Sequence, residues 1–207
     1  MISRGERPTR LSDQFDVLTR QQFREYFQPS RIVLGIVPAP TTSGVNIITL
    51  CFTMHSSYKP PMMAFAVQTN KYSYELFEKA QECVLAVPGE SIAKETLCCG
   101  IESGRTTDKV SLCHFTLIKS RKVSVPSLAD CIANVELGIA KKIILGDHLT
   151  IFGEVKAYTV NRNNKDRCLV SVGPNTKGFE VLARKGIHRI GVVANTKQLT
   201  SELEDQI

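Results

Sequence analysis

From residue 31 onward the chain breaks into short apolar or β-branched segments ended by proline, glycine or serine, and few stretches between them could be helices. Strands are expected over residues 31–37, 45–52, 63–69, 83–87, 115–119, 133–139, 149–160 and 168–172, with a turn at 41–44. Pro38, Pro40, Pro60 and Pro61 mark strand ends, because proline cannot donate to a ladder. Gly153 suits a bend or bulge in the longest segment. Ser73 is placed to cap a helix reaching about residue 83, with Leu76, Phe77 and Ala80 on one face, and residues 91–98 suit a second short helix. A doubly wound α/β sheet needs a helix after nearly every strand, which this pattern does not supply. The expected fold is mainly β, a β-barrel with appended short helices.

Three regions follow from this pattern. Residues 1–30 read as an N-terminal arm, in which Leu11, Phe15, Leu18, Phe23 and Phe27 would pack on something else until Pro29 ends any helix. Residues 31–172 form the barrel domain. Residues 173–207 read as a C-terminal extension packed on the barrel, with a frayed acidic end.

With 207 residues, 43% hydrophobic and 22% charged, the chain has ordinary globular composition and enough length for one generous domain. No apolar run approaches the roughly 18 residues of a spanning helix, and Arg4, Glu6, Arg7 and Arg10 leave no room for a secretory core. A cytoplasmic protein without membrane contact is expected. The net charge of +6 is scattered and aromatics are only 7%, so no stacking platform for nucleic acid is visible. A modest positive field suits an anionic small ligand. Seven cysteines, none spaced as CxxC, read as thiols in a reducing compartment, with Cys98 and Cys99 adjacent. The four histidines lack metal-ligand spacing, and no metal is expected. No GxGxxG, GxxxxGK[ST], GxSxG or HExxH occurs.

Three polar clusters remain. Asn46, Ile47, Ile48 and Thr49, followed by Thr53, Ser56, Ser57 and Lys59, make a strand and then a hydroxyl-rich turn, whose backbone edge suits a planar heterocycle and whose hydroxyls suit a phosphate; an ordinary hairpin exit is the alternative. Lys71 and Ser73 stand at a helix start, an anion site or simply a capped end. Ser103, Arg105, Asp108 and Lys109 lie in a glycine-rich loop that either closes over a ligand or is a surface turn with an Asp108–Arg105 pair. His148 follows Gly146 and Asp147 at a strand start, where it meets a substrate or solvent.

The stretches NIIT, SSYKPP, NKYSYELF, CGIESGRTTDKV and GDHLTIFGEV, in this order between about residues 31 and 160, resemble the flavin reductase-like family, including its flavoredoxin branch. That resemblance implies an FMN-binding split β-barrel, usually a homodimer, in which a hydride passes from NADH or NADPH to FMN or FAD. It implies reduced flavin for a partner oxygenase, or, alternatively, a flavoredoxin-like protein that keeps its FMN and reduces another acceptor. A flavin-binding module without activity is a third reading. Carried over by position, Asn46, Ile47, Ile48, Thr49 and Thr53 would meet the ring, and Ser56 and Ser57 the ring edge or the ribityl-phosphate. Lys71 and Ser73 would hold phosphate, Ser103, Arg105 and Lys109 would border the pocket, and His148 would neighbour the nicotinamide. Cys51, Phe52 and Lys59 depart from the residues many relatives carry there.

Overall fold

Strict two-residue alternation explains how one run of chain can be apolar throughout. In the computed structural model, which describes residues 16–19, 22–23, 26–174 and 176–194, β2 (Val33–Pro38), β3 (Val45–Leu50) and β6 (Glu82–Val87) sit side by side in the main sheet. Val33, Val37, Leu50, Cys83 and Leu85 turn into one core with Phe65, Phe77, Leu137 and Ile151. Their neighbours Leu34, Ile36, Val45, Ile47, Val84 and Ala86 turn the other way, under Cys99, Val110, Phe115, Val125 and Leu128. Both faces are covered, so the polar alternation of a half-exposed strand is missing.

The remaining strands of that sheet are β4 (Thr53–Tyr58), β5 (Pro61–Gln68), β9 (Ala133–Leu145) and β10 (His148–Val160). Seven antiparallel strands run in the order β3-β2-β6-β9-β10-β5-β4. The Ala66 N–H donates to the Phe52 carbonyl at 3.0 Å, bringing the exit of β3 against β5 and curling the sheet towards closure. The mainly β barrel expected from the sequence is the fold observed. The leading residues Leu11 and Phe15 of the arm, and the acidic end, lie outside the described residues.

Among the described residues, the α-helices that decorate the barrel are α1 (Tyr72–Lys79), α2 (Ala93–Ile101) and α3 (Lys109–Leu112). The first stops four residues earlier than expected, because Glu82 onward is claimed by pairing with β9. Residues 53–58, read as a turn, are instead the edge strand β4, paired with β5 through Thr53↔Phe65 and Ser57↔Met62. Its outer side leaves Met54 and Tyr58 exposed. The strand expected to end at residue 139 continues to Leu145, since Lys141 and Lys142 pair with β10 like any strand residues, and Lys142 Nζ donates to the Glu78 and Ala80 carbonyls at the end of α1. The bulge expected at Gly153 is present as a register slip, where a Cβ would come within 3.0 Å of Leu137.

The region the sequence left unread forms β12 (Phe179–Lys185) and β13 (His188–Val193), which join β11 (Val170–Ser171) and β1 (Ser30–Arg31) in a second sheet. Ala183, Ile190 and Val192 pack with Ala93 and Leu97 of α2, so α2 lies between the two sheets. Residues 115–119 shrink to β7 (Leu117–Ile118), paired with β8 (Ser127–Leu128).

Asp108 caps α3 and does not pair with Arg105. Its carboxylate accepts from Val110 N at 3.0 Å, Ser43 N at 2.7 Å and Ser43 Oγ at 2.9 Å. Burial pushes this carboxyl up, but the Ser43, Ser111 and Val110 donors outweigh it and hold the group below the ordinary aspartate range. Asp108→Ala is expected to cost about 1–2 kcal/mol at pH 7, the scale of a lost cap. A depressed carboxyl contributes fully above its unfolded pKa of about 3.9 and loses that contribution as pH falls through the folded value. Urea unfolding should therefore show the gap between the two proteins closing below pH 4; a gap constant to pH 2 would contradict this.

Candidate functional site

A cleft opens where the ends of β3, β5 and β10 meet α2 and the β12–β13 hairpin. Its wide chamber encloses about 330 Å³, with Ile48, Leu50, Phe52, Val67, Leu97, Ile101 and Ile190 among its apolar walls and Thr49, Gln68, Lys71, His148, His188 and Arg189 among its polar ones. A narrower chamber of about 230 Å³ continues from it between the start of α1 and residues 99–104. Ile48, Lys71, Gly100 and Ile101 line both, so the two form one bent cleft.

The narrow chamber is built by close approach of β3, α1 and α2. Lys109 is 3% exposed, and its Nζ donates to the Ile47 carbonyl and the Cys99 carbonyl, each at 2.7 Å. Thr49 Oγ1 donates to the Thr96 carbonyl at 2.5 Å, and Gly100 sits so near Thr49 that a Cβ would lie 3.3 Å from it. These contacts clamp α2 onto β3. Burial holds the Lys109 pKa below its ordinary value. The lysine is thus spent on two backbone carbonyls and serves the pocket as a staple, not as an uncommitted cation.

Ser73 does not cap α1. Lys71 is the N-cap residue, with extended backbone and no side-chain cap, and Ser73 lies inside the first turn, where its Oγ accepts from Asn46 Nδ2 at 2.9 Å. The other end of the Asn46 carboxamide is buried and unpaired, and a Cβ on Gly104 would overlap it. The Lys71 side chain has no partner among the described residues and stands beside the first N–H groups of α1, which have no partners within the helix.

The structure thus brings Ile48, Thr49, Lys71 and His148 to the wide chamber and Ile48, Lys71, Ser73, Ser103 and Lys109 to the narrow one. Asn46 and Ile47 lie behind the wall. Thr53, Ser56, Ser57 and Arg105 line neither chamber. β4 carries Ser56 and Ser57 away along the sheet edge, while Arg105 pairs with Glu75 and stacks 4.6 Å from the centre of the Tyr72 ring. His148 packs against Phe52 with ring centres 5.3 Å apart and planes tilted by 37°, and its Nδ1 lies 2.7 Å from the Asp147 carboxylate. Sequence reasoning missed Gln28, Gln68, Gly100, Ile101, His188 and Arg189 as cleft residues. Gly100 stood in a quoted stretch without a role; His188 and Arg189 flank a glycine turn whose hairpin signal was present but unread.

No disulfide links the seven cysteines. Cys99 faces the narrow chamber but contact with Cys113 and burial push its thiol far up, and burial pushes Cys98 up to about 11, so neither is a thiolate at neutral pH. Among the described residues no three side chains are grouped to hold a metal, and no helix is long and apolar enough to cross a membrane.

Comparison with known proteins gives the same direction. Residues 29–180 match the flavin reductase like domain. An uncharacterized protein of Archaeoglobus fulgidus is 32% identical over 145 residues, 69% of this chain and 78% of that one. An FMN-binding protein from Thermus thermophilus, solved with bound p-hydroxybenzaldehyde, superposes with a TM-score of 0.67 at 18% identity, over 93% of this chain and 97% of its own. A flavoredoxin from Methanosarcina acetivorans superposes with a TM-score of 0.69 at 17% identity, over 88% and 92%.

Proposed function

The chain belongs to the flavin reductase-like family, and from that premise we propose that it is an NAD(P)H-dependent flavin oxidoreductase whose bent cleft holds FMN. The observation that carries this is the continuity of the two chambers. An apolar slot is joined to a narrower end that bears an unpaired lysine, a helix N-terminus and hydroxyls. That division matches a molecule with a flat aromatic ring at one end and a phosphate at the other.

A bound flavin would supply the two-electron chemistry, so no side chain is required as nucleophile or strong base. The chain's own residues bind and orient. Lys71 and the first turn of α1 offer charge and backbone N–H groups to a phosphate, with Ser103 beside them. The strand edge from Ile48 to Cys51 presents backbone groups along the wide chamber, and Leu50, Val67, Leu97 and Ile101 exclude water from it. Phe52 and His148, packed against each other with tilted planes, border the space left for a second ring. Release of reduced flavin to a partner oxygenase is part of the same reading; retention would make the protein a flavoredoxin-like carrier.

The test is an absorbance spectrum of protein mixed with FMN and separated from excess, followed by anaerobic addition of NADH and then NADPH. Bound flavin bleached by one donor, with turnover on excess free flavin, is expected. Protein that binds neither FMN nor FAD would overturn the reading. Lys71→Ala should weaken FMN binding about 10-fold with little change in turnover at saturation, while His148→Ala should lower turnover more than FMN affinity. Equal effects of the two variants on both quantities would remove the division of roles.

A further inference from the structure

Four basic side chains bracket the two-residue turn of the β12–β13 hairpin. Arg184 lies directly across from Arg189, and Lys185 across from His188. Gly186, with φ +57°, occupies the first loop position, as in the tight turns that favour hairpins. Like charges facing each other across a ladder destabilise it. Among the described residues one of the four is relieved by an ion pair, Lys185 Nζ to Glu102 at 3.9 Å. Arg189 has no such partner there, although it is half-buried.

This tip is part of the cleft. Ile187, His188 and Arg189 line the wide chamber together with Lys71 and His148; among the described residues no carboxylate side chain lines that chamber, and Glu102 lines the adjoining narrow one.

We propose that the β12–β13 tip docks the diphosphate of a dinucleotide hydride donor, with Arg189 and His188 at the cleft and Arg184 reinforcing the field. The inference rests on the flavin oxidoreductase reading. A donor whose nicotinamide enters the wide chamber must leave its adenylate half at the mouth, and the chain has no GxGxxG loop to hold it. Guanidinium groups match phosphate oxygens two at a time, and an arginine with no ion-pair partner among the described residues, beside a chamber without a described carboxylate, is prepared for that contact.

The experiment uses protein saturated with FMN, wild type and the Arg184→Gln/Arg189→Gln double variant. Calorimetry with ADP-ribose reads docking without catalysis. Steady-state kinetics compare NADH and NADPH with 1-benzyl-1,4-dihydronicotinamide, a hydride donor without phosphate. The double variant should bind ADP-ribose about 10-fold more weakly, and its KM for the dinucleotide should rise about 10-fold more than its KM for the neutral donor. The salt dependence of dinucleotide binding should also flatten. Wild-type affinity for ADP-ribose and an unchanged KM ratio would overturn the docking site while leaving the flavin reading intact. If none of the three donors reduces the flavin in wild-type protein, the flavin reading fails and the docking site with it.

Discussion

Lys109→Met is expected to lower stability by roughly 2–4 kcal/mol and to weaken FMN binding by at least about 10-fold. Methionine fills similar volume, so the loss comes from the two carbonyls, of Ile47 and Cys99, that Nζ satisfies at 2.7 Å each. A buried carbonyl left unpaired costs about 1–3 kcal/mol, partly offset here because a desolvated ammonium is removed. The pH profile separates this from other causes. Burial sets the folded pKa of Lys109 below its unfolded value, so between the two the unfolded chain holds more protons and this group makes stability rise with pH. That rise should be present in wild type and missing in the variant when urea midpoints are compared from pH 7 to pH 10. Had Lys109 been a phosphate ligand reaching into the pocket, the variant would lose flavin affinity and keep its stability; that outcome would refute the staple.

Gly104→Ala is expected to weaken FMN binding by about 10- to 100-fold with a much smaller effect on unfolding. The added methyl would overlap the Asn46 carboxamide, which is buried and tied to Ser73. Either Asn46 withdraws and breaks that bond, or the segment around Ser103 lifts away from α1. Both open the narrow chamber where Lys71 and the helix start converge. Asn46→Ala removes the obstruction, so the double variant should bind FMN better than Gly104→Ala alone. A double-mutant cycle measured by flavin fluorescence reads this directly. Additive losses would mean that Gly104 acts elsewhere.

Much of the barrel was legible because apolar alternation is local. β2, β5, β6 and β10 were placed to within a few residues, and the slip at Gly153 announced itself as a glycine in a long strand. β4 was not legible: Thr53, His55, Ser56 and Ser57 carry no apolar alternation, and the strand exists because β5 offers it an edge. The β12–β13 hairpin failed for a related reason. Arg184, Lys185, His188 and Arg189 make its tip polar on both faces, which is the signature of a loop unless the turn glycine is weighed.

The candidate site was half legible. Lys71 and His148 were identified at strand and helix ends, and both line the cleft. Ser73, Lys109, Asp108 and Arg105 stood out in the sequence as members of polar clusters, yet their partners could not be read. Lys109 meets Ile47 across 62 positions, Asp108 meets Ser43 across 65, and Arg105 meets Glu75 across 30. Periodicity determines which face of a strand is buried, because that depends on neighbours two residues away. The partner of a polar side chain depends on which distant backbone is left unsatisfied when β3, α1 and α2 come together. The sequence by itself determined a mainly β barrel; only the tertiary structure decided that Lys109 is spent on the frame while Lys71 is left facing the cleft.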